Sequence, residues 1–229
     1  FTVLYHHRLI VGRVQTPTLA MLVEREKSIE NFQKEKYYLV HLLMDGLDAV
    51  SNRIKEKSAA VQMMEDMKDE TAQILSVKKE KKKVQPPKLY DLTTLQREAN
   101  RLLGFTAQQT LDYTQSLYEK KLVTYPRTDS QYLTDDMEEN AFLVIDAVNR
   151  VFPEISMKGS EPEIKRLLNS KKVSDHHAII PTVEIANTDL KALPGGEKEI
   201  LMLIASKLLC ASEQEYIYES IKTEISCHG

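Results

Sequence analysis

Tryptophan is absent from this 229-residue sequence, and glycine and cysteine are scarce, at seven and two residues. So few glycines argue against a dinucleotide-binding loop, which needs clustered glycines to bring backbone close to a ligand. Cys210 and Cys227 lie far apart with no C-x-x-C spacing, so neither a zinc site nor a disulfide framework is legible. That usage suits a reducing cytoplasm. No apolar run approaches the ~20 residues that cross a bilayer, and the opening residues lack the pattern of a secretory leader. Net charge of one sign is also missing: the formal value is −3, so any nucleic-acid contact has to come from local basic or polar patches. What is present, 42% hydrophobic and 28% charged residues, is ordinary for a globular chain with room for one large core or several small ones. The first residue is Phe1 rather than Met, and the sequence reads as a piece of a longer protein.

Along the chain, residues 13–30 have a helical pattern, with Pro17 in a tolerated first-turn position and Leu19, Leu22 and Val23 on one side. Residues 37–44 form an apolar run. Asp45-Gly46 then turns the chain into a second extended stretch ending near Arg53, a hairpin signal. A short helix is expected over 58–69 and a strand over 72–78. Lys78, Lys79, Lys81, Lys82, Lys83 and Lys88 with Pro86-Pro87 mark a boundary. That stretch reads either as a solvated edge strand and linker or as a strip that contacts phosphates.

Beyond it the character changes. Thr93 and Gln96 suggest a capping box before the stripe Leu95, Ala99, Leu102 and Leu103, and Gly104 suits the stop. Thr106 and Gln109 suggest a second box. It leads a helix to about Lys120 with Leu111, Thr114, Leu117 and Tyr118 inward. Residues 122–125 are then extended, so helix, tight turn, helix and strand outline a winged helix-turn-helix. Further helices are expected over 134–149, 161–169 and 197–211. Residues 216–227 alternate with period two, which predicts a strand returning to the sheet of residues 37–78.

The stretch Thr124-Tyr125-Pro126-Arg127-Thr128-Asp129-Ser130 places a tyrosine at a strand end, with a turn-forming proline and an arginine following. A phenolic oxygen can attack a phosphodiester and keep the bond energy in a phosphotyrosine, while a guanidinium stabilises charge on the phosphate oxygens. The residues alone leave two readings open, a nucleophile or a structural tyrosine packed on the helices.

The segment from Pro87 to Asp129 resembles the catalytic-tyrosine region of type IA DNA topoisomerases. It has the helix-turn-helix, Leu117-Tyr118-Glu119 ahead of the strand, and the Y-x-R-T-D-S signature. Pro126 resembles the topoisomerase III branch. Gly12-Arg13-Val14-Gln15-Thr16-Pro17 is similar to the family's G-R-V-Q segment, and His176-His177-Ala178-Ile179-Ile180-Pro181-Thr182 to its H-x-A-I-x-P segment. Where Ile10 stands the family usually has a small polar residue, a departure at the start of the first segment.

The resemblance implies an α+β fold: the central fragment of a type IA enzyme, with a helical winged-helix-like tyrosine domain inserted into a β-rich gate. Residues 1–34 would belong to the DNA-groove domain, 35–85 to the first part of the gate, 86–211 to the tyrosine domain and 212–229 to the gate's return strand. It implies ATP-independent cleavage of single-stranded DNA, strand passage and rejoining through a 5′-phosphotyrosine on Tyr125. Arg127 and His176 would act on the same phosphate, with His177 the less catalytic neighbour. Gly12, Arg13, Val14, Gln15, Thr93, Thr94 and Arg97 are the implied DNA contacts. The family's Mg2+ site lies in a Toprim domain that has no counterpart among these residues, where Asp135-Asp136 reads as a helix start. The fragment alone is therefore expected to bind no metal and to be nearly inactive. DNA is the implied partner, with neither a membrane nor a small-molecule substrate. A non-catalytic winged-helix DNA-binding module and a family member with an added motor domain are the rival readings.

Overall fold

The computed structural model of the chain describes residues 2–7, 11–44, 46–68, 70–156, 159 and 161–227. Ile10 and the turn residue Asp45 lie outside the described residues. The elements in chain order are α1 (Thr2–Tyr5), α2 (Gln15–Glu30), β1 (His41–Met44), β2 (Leu47–Val50), α3 (Lys57–Asp66) and β3 (Gln73–Val84). They continue with α4 (Leu92–Leu103), α5 (Ala107–Glu119), α6 (Glu138–Val151), α7 (Gly195–Ala211) and β4 (Tyr216–Ser226). Short 3-10 turns fill the stretch between α6 and α7. The mixture is α+β, and it divides into two compact units: Phe1–Lys78 with Lys222–Gly229, and Lys79–Ile221.

In the first unit, β1 and β2 pair antiparallel from His41↔Val50 to Met44↔Leu47. Gly46, at φ 75°, takes the left-handed turn conformation that an L-side chain would resist. The arms meet again at Tyr38↔Ile54. That register is one residue out of step with the ladder, so the second arm carries a bulge over residues 51–53. There the Ser51 hydroxyl accepts the Val40 N–H at 3.0 Å, standing in for a ladder carbonyl. The regular strands are thus shorter than the apolar run 37–44 predicts. Helix α2 forms where the pattern places it but starts at Gln15, and none of its residues is buried.

The lysine-rich stretch is strand rather than linker as far as Val84. It pairs with β4 in a two-stranded ribbon, separate from the β1–β2 hairpin. Cross-strand partners run in opposite directions, Ser76 with Glu224 and Lys83 with Glu215. Lys79 and Lys83 face Glu219 and Glu215 at 3.7 and 2.9 Å. Two of the lysines considered for phosphate therefore already have carboxylate partners.

The second unit has the core. Leu95 and Ala99 of α4, Leu117 of α5, Ala141, Val144, Ile145 and Val148 of α6, and Leu201, Ile204, Ala205 and Leu208 of α7 are all but fully buried. Helices α4, α5 and α7 pack on one another, and α6 packs on the turn Val183–Asn187. Two buried α5 threonines satisfy their hydroxyls internally, Thr110 on the Thr106 carbonyl and Thr114 on the Thr110 carbonyl. Gly196 lets α7 approach α5, because a Cβ there would sit 2.5 Å from the Tyr113 ring. Leu102 is 52% exposed and Tyr118 38% exposed, so both leave the inward stripes expected of them.

Two local readings are corrected. Helix α4 is capped by Asp91, not Thr93: the Asp91 carboxylate accepts the Thr94 N–H at 2.7 Å and the Thr94 hydroxyl accepts the Asp91 N–H at 3.2 Å. Gln96 instead donates to the Ala107 carbonyl across the turn. The Thr106–Gln109 box forms as the sequence predicts. Residues 161–169 are not an α-helix but a single 3-10 turn, Lys165–Leu167. The Asn169 N–H, which would close an α-helical turn on Lys165, donates instead to the Leu133 carbonyl, and the Leu167 and Leu168 N–H groups close three residues back rather than four.

Candidate active site

Helix α5 ends by an abrupt reversal. Lys121 adopts φ 62°, unusual for a residue with a Cβ, and the Leu122 N–H closes back on the Leu117 carbonyl at 2.9 Å. The Thr182 hydroxyl donates to the Lys121 carbonyl and helps hold this turn. The chain then runs extended beside residues 179–182. Val123 bridges Pro181, Thr124 N–H donates to Ile180, and Thr182 N–H donates to Leu122. Tyr125 sits at the end of this segment.

Three hydroxyls stitch the tyrosine loop to the histidine segment. Thr124 Oγ1 donates to the Ala178 carbonyl and accepts the Ile180 N–H, both at 3.0 Å. Thr128 Oγ1 donates to the His176 carbonyl at 2.8 Å. Ser130 Oγ donates to the Lys172 carbonyl at 3.0 Å. Asp129 accepts from the Ser174 hydroxyl. The T-D-S side chains therefore mostly reach across more than 40 residues of sequence. Only the Ser130 N–H to Thr128 Oγ1 bond and the Ser130–Tyr132 contacts are local.

The result is a half-exposed tyrosine between two rings. His176 lies 4.2 Å from Tyr125, centroid to centroid, and tilted by 41°, while Tyr118 meets it edge-on at 5.4 Å. Among the described residues nothing hydrogen-bonds the Tyr125 hydroxyl, and nothing pairs with the exposed Arg127 guanidinium. Arg127, His176 and Thr93 line one open depression of about 450 Å³ with Asp91, Asp129 and Asp175. His177 is different: it is half-buried, with Nδ1–H donating to the Ala178 carbonyl at 2.9 Å. Burial holds its pKa below that of an ordinary imidazole, against the opposing effect of that hydrogen bond. It shares an apolar hollow with Tyr118, Val123 and Tyr125.

The structure thus brings Arg127, His176 and Thr93 to one depression, and Tyr125, which lines the neighbouring hollow, meets them through the His176 ring. Thr94 and Arg97 line a neighbouring pocket instead, and the Thr94 hydroxyl is already engaged in the cap of α4. Gly12, Arg13, Val14 and Gln15 belong to the other unit, just before and at the start of α2. There the Gly12 N–H donates to Thr16 Oγ1 at 3.1 Å, and the Arg13 and Gln15 side chains are exposed. Sequence reasoning missed Tyr118 as a wall of the site, and Asp91 and Asp175 as its acidic rim. The Asp175 carboxylate was legible as the residue directly before His176. Among the described residues no group of three or more His, Cys, Asp or Glu side chains could hold a metal ion.

The profile of the DNA topoisomerase family matches residues 2–229. The DNA topoisomerase 3 of Bacillus licheniformis is 38% identical over 96% of this chain and 32% of its own length. That of Staphylococcus epidermidis is 39% identical over 95% of this chain and 32% of its own length. Among solved structures, the full-length topoisomerase I of Thermotoga maritima superposes with a TM-score of 0.72 at 28% identity, covering 96% of this chain and 36% of that one. The chain spans about a third of the length of these relatives. It therefore belongs to the DNA topoisomerase family, in its type IA form and most like bacterial topoisomerase III.

Proposed function

We propose that this chain carries the strand-cleaving tyrosine of a type IA topoisomerase, with Tyr125 as nucleophile on single-stranded DNA. The observation that supports this best is a tyrosine whose hydroxyl has no partner among the described residues, its ring tilted against His176 at 4.2 Å between centroids, with an unpaired arginine two residues on. In the proposed step the Tyr125 oxygen attacks phosphorus and the bond from phosphorus to the 3′ oxygen breaks. The phenolic proton departs and a proton is taken up by the leaving 3′ oxygen. The 5′ phosphate stays esterified to Tyr125, and the reverse reaction reseals the strand without ATP. Arg127 stabilises charge on the equatorial oxygens, and His176 positions the phenol ring against the phosphate. Gly12, Arg13, Val14, Gln15, Thr93, Thr94 and Arg97 are proposed as contacts that align the strand, with Thr94 contributing backbone rather than its occupied hydroxyl.

The division of labour is proposed on the same resemblance: residues 1–34 in the DNA groove, 35–85 and 212–229 in the gate, and 86–211 as the tyrosine domain. Use of Mg2+ and a cytoplasmic location are likewise proposed from the family, and no step above passes through a metal. No helix among the described residues is long and apolar enough to cross a membrane.

The test is the covalent adduct. In the full-length enzyme, Tyr125→Phe keeps the ring contacts and removes only the oxygen. Adduct with single-stranded DNA should vanish while noncovalent binding stays within twofold or so, about 0.4 kcal/mol. Adduct surviving in the Phe variant would move the chemistry to another residue. A wild-type protein that binds DNA but forms no adduct would leave only a winged-helix binding module.

A further inference from the structure

A basic concavity separate from the Arg127–His176 depression lies beside the first turn of α4. It has a volume of about 640 Å³, and Tyr90 forms part of its lining with Lys88, Arg97, Arg101, Lys207 and Glu98. Four cations face one carboxylate there. Glu98 holds Lys207 at 2.6 Å and Arg101 at 3.6 Å, which leaves Lys88 and Arg97 without an acidic partner among the described residues. Arg97 and Arg101 are one helical turn apart and so project from the same face of α4.

A buried tyrosine forms part of the wall. Tyr90 is 1% exposed, and its hydroxyl interacts with the Glu98 carboxylate. Burial first, and then the nearby Glu98 carboxylate, push its pKa well above the ordinary value. Lys207 lies 4.5 Å over its ring. Tyr90 thus lies between the Glu98 carboxylate and the Lys207 ammonium, on the wall of a pocket whose cations outnumber its one carboxylate.

We infer that this pocket, built from Tyr90, Lys88, Arg97, Arg101 and Lys207, is a second phosphate site that holds a backbone phosphate of the strand on which Tyr125 acts. The volume exceeds that of one phosphate and has room for an attached nucleotide, with the Gln131 and Asn100 amides on its wall. Continuity with the first site is short. Thr93 and Thr94 are adjacent residues of one helical turn, yet Thr93 lines the Arg127 depression and Thr94 lines this pocket. Gln131 directly follows the tyrosine loop. Naming the anion as DNA rests on the proposed cleavage reading; the phosphate chemistry of the pocket stands on its own residues.

The test is binding of a fluorescent single-stranded oligonucleotide to the 229-residue chain, measured by anisotropy across a salt series. A Lys88→Gln/Arg101→Gln double variant should bind roughly tenfold more weakly at low salt. The logarithmic salt dependence should become shallower, by about 0.7 for each phosphate that is no longer neutralised. Inorganic pyrophosphate should compete with the oligonucleotide on the wild type and less on the double variant. Unchanged affinity and salt slope in the double variant, or no salt-dependent binding by the wild type, overturns the site. Failure of the Tyr125 reading is seen separately, as adduct formation surviving Tyr125→Phe, since neither Lys88 nor Arg101 has a part in cleavage.

Discussion

The two units use similar proportions of apolar sequence to very different effect. In Lys79–Ile221 the apolar stripes of four helices close on one another, and side chains from Leu89 to Ala211 form a continuous buried cluster. In the other unit only Ala60 and Cys227, among the described residues, are buried. Leu19, Leu22 and Val23 of α2 are 61, 63 and 44% exposed, though their spacing is that of an ordinary amphipathic helix. Periodicity, then, specifies an element, while burial depends on a facing surface. Tyr125, Arg127 and His176, the proposed reacting groups, lie in the unit that supplies such a surface, where loops can be held in register.

Stability measurements should show this contrast most strongly. Leu95→Ala removes a fully buried side chain from the α4–α5–α7 core and should cost about 2–5 kcal/mol by chemical denaturation. Leu22→Ala, chemically the same deletion on α2, should stay within about 0.5 kcal/mol. Comparable losses at the two positions would mean that α2 is covered in solution and the contrast is false.

Catalysis should sharpen it. In the full-length enzyme, Arg127→Ala should lower single-turnover cleavage by two to three orders of magnitude, about 2.7–4 kcal/mol, the usual effect of deleting one stabilising donor. Arg127→Lys should recover only part, because an ammonium lacks the planar fork. Arg13→Ala, in the open unit, should weaken DNA binding and leave the rate at saturating DNA nearly unchanged. A fall in that saturated rate would place Arg13 in the reacting machinery.

The smallest effect concerns pH. His177 has a depressed pKa in the folded chain, so between that value and about 6.5 the unfolded chain binds the extra proton. Its contribution is fully present above about pH 6.5 and is lost as pH falls through the folded value. His177→Gln should flatten that acid limb of melting temperature against pH. An identical limb in the variant would assign the acid loss to other groups.

Much of the packed unit was legible, for local reasons. The Thr106–Gln109 box, the Gly104 stop and the α6 and α7 stripes are each set within a few residues of chain. The misreadings share a cause. Asp91 displaces Thr93 as cap because its carboxylate accepts the Thr94 N–H, a choice between adjacent residues that spacing does not resolve. Residues 161–169 lose the end of their helix to a partner at Leu133, far away in sequence. At the site, the Tyr125–His176 contact was foreseen only through family resemblance, since no periodic pattern links positions 51 residues apart. The resemblance likewise grouped Arg97 with Thr93, whereas the structure turns them into different pockets on either side of one helical turn.

The hydroxyl stitching of the tyrosine loop has a mechanical consequence. A pull applied at Tyr125 passes through Thr124, Thr128 and Ser130 into residues 172–180 before it can reach any hinge. The Val123–Pro181 bridge is anchored beside it, at the foot of the buried cluster. A tether drawn tight on the tyrosine therefore loads a braced frame rather than a free loop. Tyr125 and His176 travel as one piece, so on the proposed cleavage reading the parting of a cut strand would open a seam elsewhere and close again on an undisturbed pair.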